Sequence, residues 1–125
     1  MIVLDTNIVL EILEKRHHLQ AVLDLLGQHS KELIAVTTLT LSNVFYVAEK
    51  SQAATIAAEE LLKNYVIIDV TSADADWAFK NYDHKDFEDA LQVAAAKRSG
   101  AKLFMTIDGP LTSKYQSFLP IQLVK

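Results

Sequence analysis

Five short apolar runs punctuate the chain, at Met1–Leu4, Leu33–Val36, Val66–Val70, Leu103–Ile107 and Ile121–Val124. Between them the apolar positions recur every three or four residues, the period of an amphipathic helix. No hairpin turn signal joins one apolar run to the next, so consecutive strands are linked by helical crossovers and run parallel. The pattern predicts an α/β fold: a three-layer α/β/α sandwich around a mostly parallel sheet of about five strands. With 125 residues, three glycines, two prolines, no internal repeat and no linker-like stretch, residues 1–125 read as a single domain with one continuous sheet.

The spacers divide into recognisable helices. Ile8, Val9, Ile12 and Leu13 form the first apolar stripe, and Leu19, Val22, Leu23, Leu25 and Leu26 the second, with Gly27 expected to close it. Thr37, Thr38 and Thr40 lead into a helix carrying Leu41, Val44, Phe45, Val47 and Ala48, and another runs from about Gln52 to Asn64. Ser72 is the expected N-cap of a helix through Trp77 and Phe79, Asp86 opens one that ends near Gly100, and a short helix follows Pro110.

Composition narrows the chemistry. There is no cysteine, so thiolate metal sites, disulfides and a cysteine nucleophile are excluded, and any metal must be held by oxygen or imidazole. No run approaches the ~20 apolar residues of a membrane span, and the chain reads as soluble and cytoplasmic. A net charge of −4 argues against binding nucleic acid through a broadly basic surface. It does not argue against cutting it, because carboxylate sites that cleave phosphodiesters are acidic and receive the phosphate on a bound cation.

In an open parallel sheet, residues just beyond the carboxyl ends of strands converge on one rim. Asp5 follows the first apolar run and Asp108 the fourth, so both carboxylates emerge there, and Asp89, in the first turn of its helix, can face them. Three carboxylates this close repel one another unless they share a proton or a divalent cation. Mg²⁺ or Mn²⁺ suits such hard oxygen donors.

The same residues carry a family resemblance. The opening V-L-D-T-N-I-V-L, the segment D-F-E-D-A-L-Q from Asp86 to Gln92, and A-x-x-x-G-A-K-L-F-M-T-I-D ending at Asp108 occur in the order found in PIN domains, and the match spans nearly the whole chain. Among small PIN proteins it most resembles the VapC-type toxins of toxin–antitoxin pairs. That resemblance implies a Mg²⁺- or Mn²⁺-dependent endoribonuclease, commonly a homodimer, restrained by a small antitoxin, with Asp5, Asp89 and Asp108 as metal-binding and catalytic acids. Thr106, Thr38 and Asn7 are the polar residues expected to support them.

Two departures bear on activity. Where PIN domains usually carry a glutamate early in the helix after the second strand, this chain has Asn43, which can ligate Mg²⁺ but brings no charge and cannot act as a base. Asp86, Glu88 and Glu11 are candidates to compensate, Asp86 foremost because it precedes Asp89 by one helical turn. Leu111 stands where relatives often place a further acid after Asp108. The alternative to a nuclease is therefore a PIN module weakened at Asn43 that binds RNA or protein.

Other features have plainer readings. Asp5-Thr6-Asn7 is also a good turn and helix start, and Asp86 a good cap. The cluster Lys15, Arg16, His17 and His18 reads as a solvated helix junction, and a regular backbone would turn the two histidines in different directions. Phe45, Tyr46, Trp77 and Phe79 read as core or subunit-contact residues rather than base-stacking platforms. A receiver-type phosphotransfer domain would need its aspartate midway along the chain, where helix is expected, and a haloacid-dehalogenase-like phosphatase an aspartate at position 7.

Overall fold

The computed structural model describes residues 1–125. The chain runs β1 (Ile2–Leu4), α1 (Thr6–Glu14), α2 (Leu19–Gln28), β2 (Ile34–Thr37), α3 (Thr38–Ala48), α4 (Gln52–Leu62), β3 (Val66–Ile68), α5 (Ser72–Asn81), α6 (Phe87–Arg98), β4 (Leu103–Thr106), α7 (Gly109–Tyr115) and β5 (Ile121–Leu123). All strand pairings are parallel, in the order β3-β2-β1-β4-β5, as the crossover pattern requires.

The two-residue period of the strands sorts their side chains between two cores. Ile2, Leu4, Val36 and Met105 face one layer, where they pack with Ile8 and Val9 of α1, Val22 of α2, Val44 of α3 and Ala58 of α4. Val3, Ala35 and Phe104 face the other, against Ala78 of α5, Val93 of α6 and Tyr115 of α7. Ile2, Leu4 and Phe104 are fully buried, and each contributes roughly 1.5–3 kcal/mol of hydrophobic stabilisation.

Successive strands step outward from β1 through β2 to β3, after which the chain crosses back to lay β4 on the other flank of β1. This reversal makes the carboxyl edge between β1 and β4 the place where an open sheet leaves a crevice. Asp5 and Asp108 leave the ends of β1 and β4, on either side of that crevice. The register is fixed by Val3 opposite Phe104 and Leu4 opposite Met105, and the Asp5 amide continues the ladder to the Met105 carbonyl at 2.9 Å.

Several local expectations are corrected. Gly27 does not close α2, which continues to Gln28 and ends at His29; the left-handed helix ending belongs instead to α1, at Lys15 with φ 50°. Thr71, not Ser72, occupies the N-cap of α5, its amide donating to the Asp74 carboxylate at 2.8 Å. Asp86 precedes α6 but in a left-handed conformation, φ 56°, and its carboxylate makes no capping bond. Gly100, at φ +76°, does end α6 as anticipated, the Ala101 amide turning back to the Ala96 carbonyl. The His17 and His18 rings do not diverge: their centroids lie 4.1 Å apart. No helix is long and apolar enough to cross a membrane.

Candidate active site

Asp5 is the pivot of the rim. Its extended backbone ends β1 and starts α1, and its Oδ1 accepts from the Thr6 amide at 2.8 Å while Oδ2 accepts from the Thr106 hydroxyl at 2.7 Å. The Gln92 side-chain amide donates to Oδ1 at 3.3 Å. Of the roughly four acceptor sites a carboxylate offers, these donors take three. Asp5 is only 4% exposed; burial pushes its pKa up, the Thr106 and Thr6 bonds pull against that, and Asp108 and Glu88 push it further.

Thr106 joins the two strand ends. Its hydroxyl donates to Asp5 and accepts from the Asp108 amide at 3.0 Å, so both aspartates are set by one β4 side chain. Asp108 in turn caps α7, with Oδ1 accepting from the Leu111 amide at 3.0 Å. Leu111 is buried in the second core.

Asp89 enters from α6, half-buried. Its pKa is pushed up to about 7, first by burial and then by the carboxylates of Asp5, Asp108, Asp86 and Glu88. Near neutral pH the site therefore holds more negative potential than its own side chains relieve. No Lys or Arg lines the adjoining cleft of about 370 Å³, whose walls include Asp5, Asn7, Asn43, Tyr46, Glu88 and Asp89.

A residue that sequence reasoning passed over links the elements. Gln92 is 1% exposed; its Oε1 accepts from the hydroxyls of Thr37 at 3.1 Å and Thr40 at 2.9 Å, which turns its amide nitrogen toward Asp5. Thr40 also pairs with the Thr6 hydroxyl at 2.9 Å. One buried amide thus ties the end of β2, the starts of α1 and α3, and α6. The available signal was a lone polar side chain within the buried run Ala90–Ala96, where an unpaired amide would be costly.

The remaining candidates fall in different places. Asn43 lines the cleft and donates its side-chain amide to Glu88. Glu88 is accordingly the acid beside the missing glutamate, whereas Asp86 is 60% exposed and turns toward Lys114, 3.8 Å away. Glu11 is buried elsewhere, accepting from the His18 amide at 2.9 Å. The Thr38 hydroxyl accepts from the Val70 amide at 3.3 Å and supports the loop after β3 rather than the acids. Arg16 pairs with Glu14, and none of Lys15, Arg16, His17 and His18 lines the cleft.

The donor set is all oxygen, acidic and uncompensated, which fits a hard divalent cation and not a soft one. Asp5, Asp89, Glu88 and the second oxygen of Asp108 are the side-chain groups able to hold it. They are not drawn into a tight cage of three carboxylates.

A family model described as PIN domain matches residues 2–113. Among solved structures, VapBC2 from Rickettsia felis bound to a promoter DNA fragment superposes with a TM-score of 0.79 at 18% identity, covering 100% of both chains. A toxin–antitoxin complex from Klebsiella pneumoniae gives 0.76 at 17% identity, covering 100% of this chain and 98% of that one. The sarcin–ricin-loop-cleaving toxin VapC20 of Mycobacterium tuberculosis gives 0.71 at 18% identity, over 90% and 94%. No curated protein matches the chain in sequence.

Proposed function

Because this chain belongs to the PIN domain family, we propose that it is a divalent-cation-dependent endoribonuclease of the toxin–antitoxin type, using Mg²⁺ or Mn²⁺ to hydrolyse RNA phosphodiesters in the cytoplasm. The observation that carries the reading is the uncompensated acid cluster at the β1/β4 crevice, where Asp89 is pushed up to about 7 by burial and surrounding carboxylates. The similar structures support the rest: one is a sarcin–ricin-loop-cleaving toxin, and another is a toxin–antitoxin complex. A small antitoxin as partner and a homodimer as the assembled form belong to the same proposal.

Asp5, Asp89 and Asp108 are the proposed catalytic acids. A bound cation supplies charge neutralisation for the phosphate and a water acidified toward neutral pH. Asp5, fixed by Thr106, Thr6 and Gln92, would offer the cation a carboxylate already held in place. Asp89 is the adaptable acid: its pKa, pushed up to about 7, would leave it protonated in part near neutral pH, and a cation held there would favour its ionised form. Asp108 adds negative potential while its cap bond holds it in place.

The second reading, a PIN module that binds RNA or protein without cutting, is favoured by one feature. Asn43 brings no carboxylate to the cleft and spends its amide on Glu88. Cleavage of a broad panel of RNAs with Mg²⁺ or Mn²⁺, and its loss with chelator and in Asp89→Asn, supports the nuclease. An intact protein with no cation-dependent cleavage of any of them leaves the binding module standing.

A further inference from the structure

The acidic cleft has one wall of a different character. Tyr46 of α3 is 83% exposed, the most exposed of the large hydrophobic residues, and it lines the same cleft as Asp5, Asn43, Glu88 and Asp89. It lies one helical turn beyond Asn43, so the two share a face of α3. Sequence reasoning placed this side chain in the core or a subunit contact, and it is in neither core cluster.

On the premise that the cleft cuts RNA, we propose that Tyr46 is the stacking platform for a nucleobase next to the scissile phosphate. The cleft wall contains no Lys or Arg. A cation can hold the phosphate, but the flanking nucleotide must then be bound by uncharged contacts. Stacking on an aromatic ring is the sequence-tolerant way to do so, because every base has a π-face. The Tyr46 ring is the only aromatic side chain in the wall, and its neighbours there are mostly amides, hydroxyls and carboxylates, which suit the polar edges of a base. An apolar protein partner would find a better seat in the adjoining groove of Leu13, Val44, Ala48 and Ala54, rimmed by Glu14 and Lys50, which meets the cleft at Leu10 and Val47 and does not include Tyr46.

The test compares Tyr46→Ala and Tyr46→Phe with the unsubstituted protein in steady-state cleavage of a mixed-sequence RNA pool. Tyr46→Ala should raise KM about 5- to 100-fold, the range set by loss of one stacked base, with kcat within about twofold, and Tyr46→Phe should restore KM. In parallel, a fluorescein-labelled single-stranded RNA 8-mer is titrated into the unsubstituted protein and into Tyr46→Ala, with Ca²⁺ in place of Mn²⁺ to suppress cleavage while keeping a hard cation on the carboxylates, and compared with an 8-mer of abasic sugars. Weaker binding confined to the base-bearing probe supports the platform. Equal KM and equal binding on replacing Tyr46 by Ala, or a loss confined to association of the protein with itself or with a protein partner, overturns it. If the unsubstituted protein cleaves nothing, the nuclease reading fails on its own, and the 8-mer titration still decides the role of Tyr46.

Discussion

Replacing Asp89 by Asn should make the cation-free protein more stable at pH 8 while destroying the proposed activity. Asp89 moves from an ordinary value of 3.8 to about 7 because burial and four carboxylates disfavour its charge. The sign follows from linkage. A carboxyl whose folded pKa is raised binds a proton more tightly in the native state, so its stabilising contribution is full below about pH 4 and is lost as pH rises through about 7. At pH 8 the ionised native side chain bears the whole penalty, about 4 kcal/mol at about 1.36 kcal/mol per tenfold change in proton affinity if water were excluded. Asp89 is only half-buried, so solvent screening reduces this to about 1–2 kcal/mol. Asn is isosteric and uncharged. Thermal unfolding in chelator at pH 8 should therefore show Asp89→Asn melting about 4–8 °C above the unsubstituted protein, with the difference shrinking as pH falls below about 7 and vanishing below about pH 4. Saturating Mn²⁺ should stabilise the unsubstituted protein more than the variant and narrow the gap. A variant that melts at or below the unsubstituted protein at pH 8 in chelator would refute the account of the acid cluster.

Gln92→Met, similar in volume but without the amide, should lower unfolding free energy by about 1–3 kcal/mol in urea titration and weaken Mn²⁺ binding by about tenfold in calorimetry; unchanged values in both would show that the buried network does not orient Asp5. Asn43→Asp should tighten Mn²⁺ binding by about tenfold by adding ligand charge, and should lower the melting temperature in chelator at pH 8 because it removes the amide donated to Glu88. Arg98→Ala should cost about 2–3 kcal/mol, less than a fully buried pair because the guanidinium is partly exposed, since Asp74 is 2% exposed and loses its two-pronged partner at 2.9 and 3.0 Å. Burial alone would raise the Asp74 pKa, but Arg98 and Thr71 hold it below the ordinary carboxylate range. The gap between Arg98→Ala and the unsubstituted protein should accordingly be full above about pH 4 and shrink as acid protonates Asp74, which melting curves from pH 2 to 6 would follow.

The fold was legible because its signals are local and repeated. Short apolar runs, helical stripes between them and the absence of hairpin turns dictate parallel crossovers, and the strand ends then bring Asp5 and Asp108 to one edge. What could not be read depends on pairs distant in sequence. Asn43 and Glu88 are 45 residues apart and Thr37 and Gln92 are 55 apart, so nothing local announces either contact. Local preference misled where two conformations suit the same residue. Asp86 is as able to adopt a left-handed backbone as to cap a helix, and here the loop before α6 takes the former, with His84 also at positive φ. Gly27 looked like a helix ending, yet the spare turn of α2 carries the chain past it to Gln28. The core half of the expectation for Tyr46 fails because an aromatic at a helical position usually faces a core, whereas the placement of α3 beside the acids makes this one a cleft wall.

A Mn²⁺-soaked crystal at pH 8, read by anomalous scattering at the manganese edge, would show whether the three aspartates hold a cation. A peak is expected at the β1/β4 crevice within ligand or water-bridged reach of Asp5, Asp89 and Asp108, absent from Asp89→Asn crystals soaked identically. A peak confined to other carboxylates, or an equally strong crevice peak in Asp89→Asn, would contradict it.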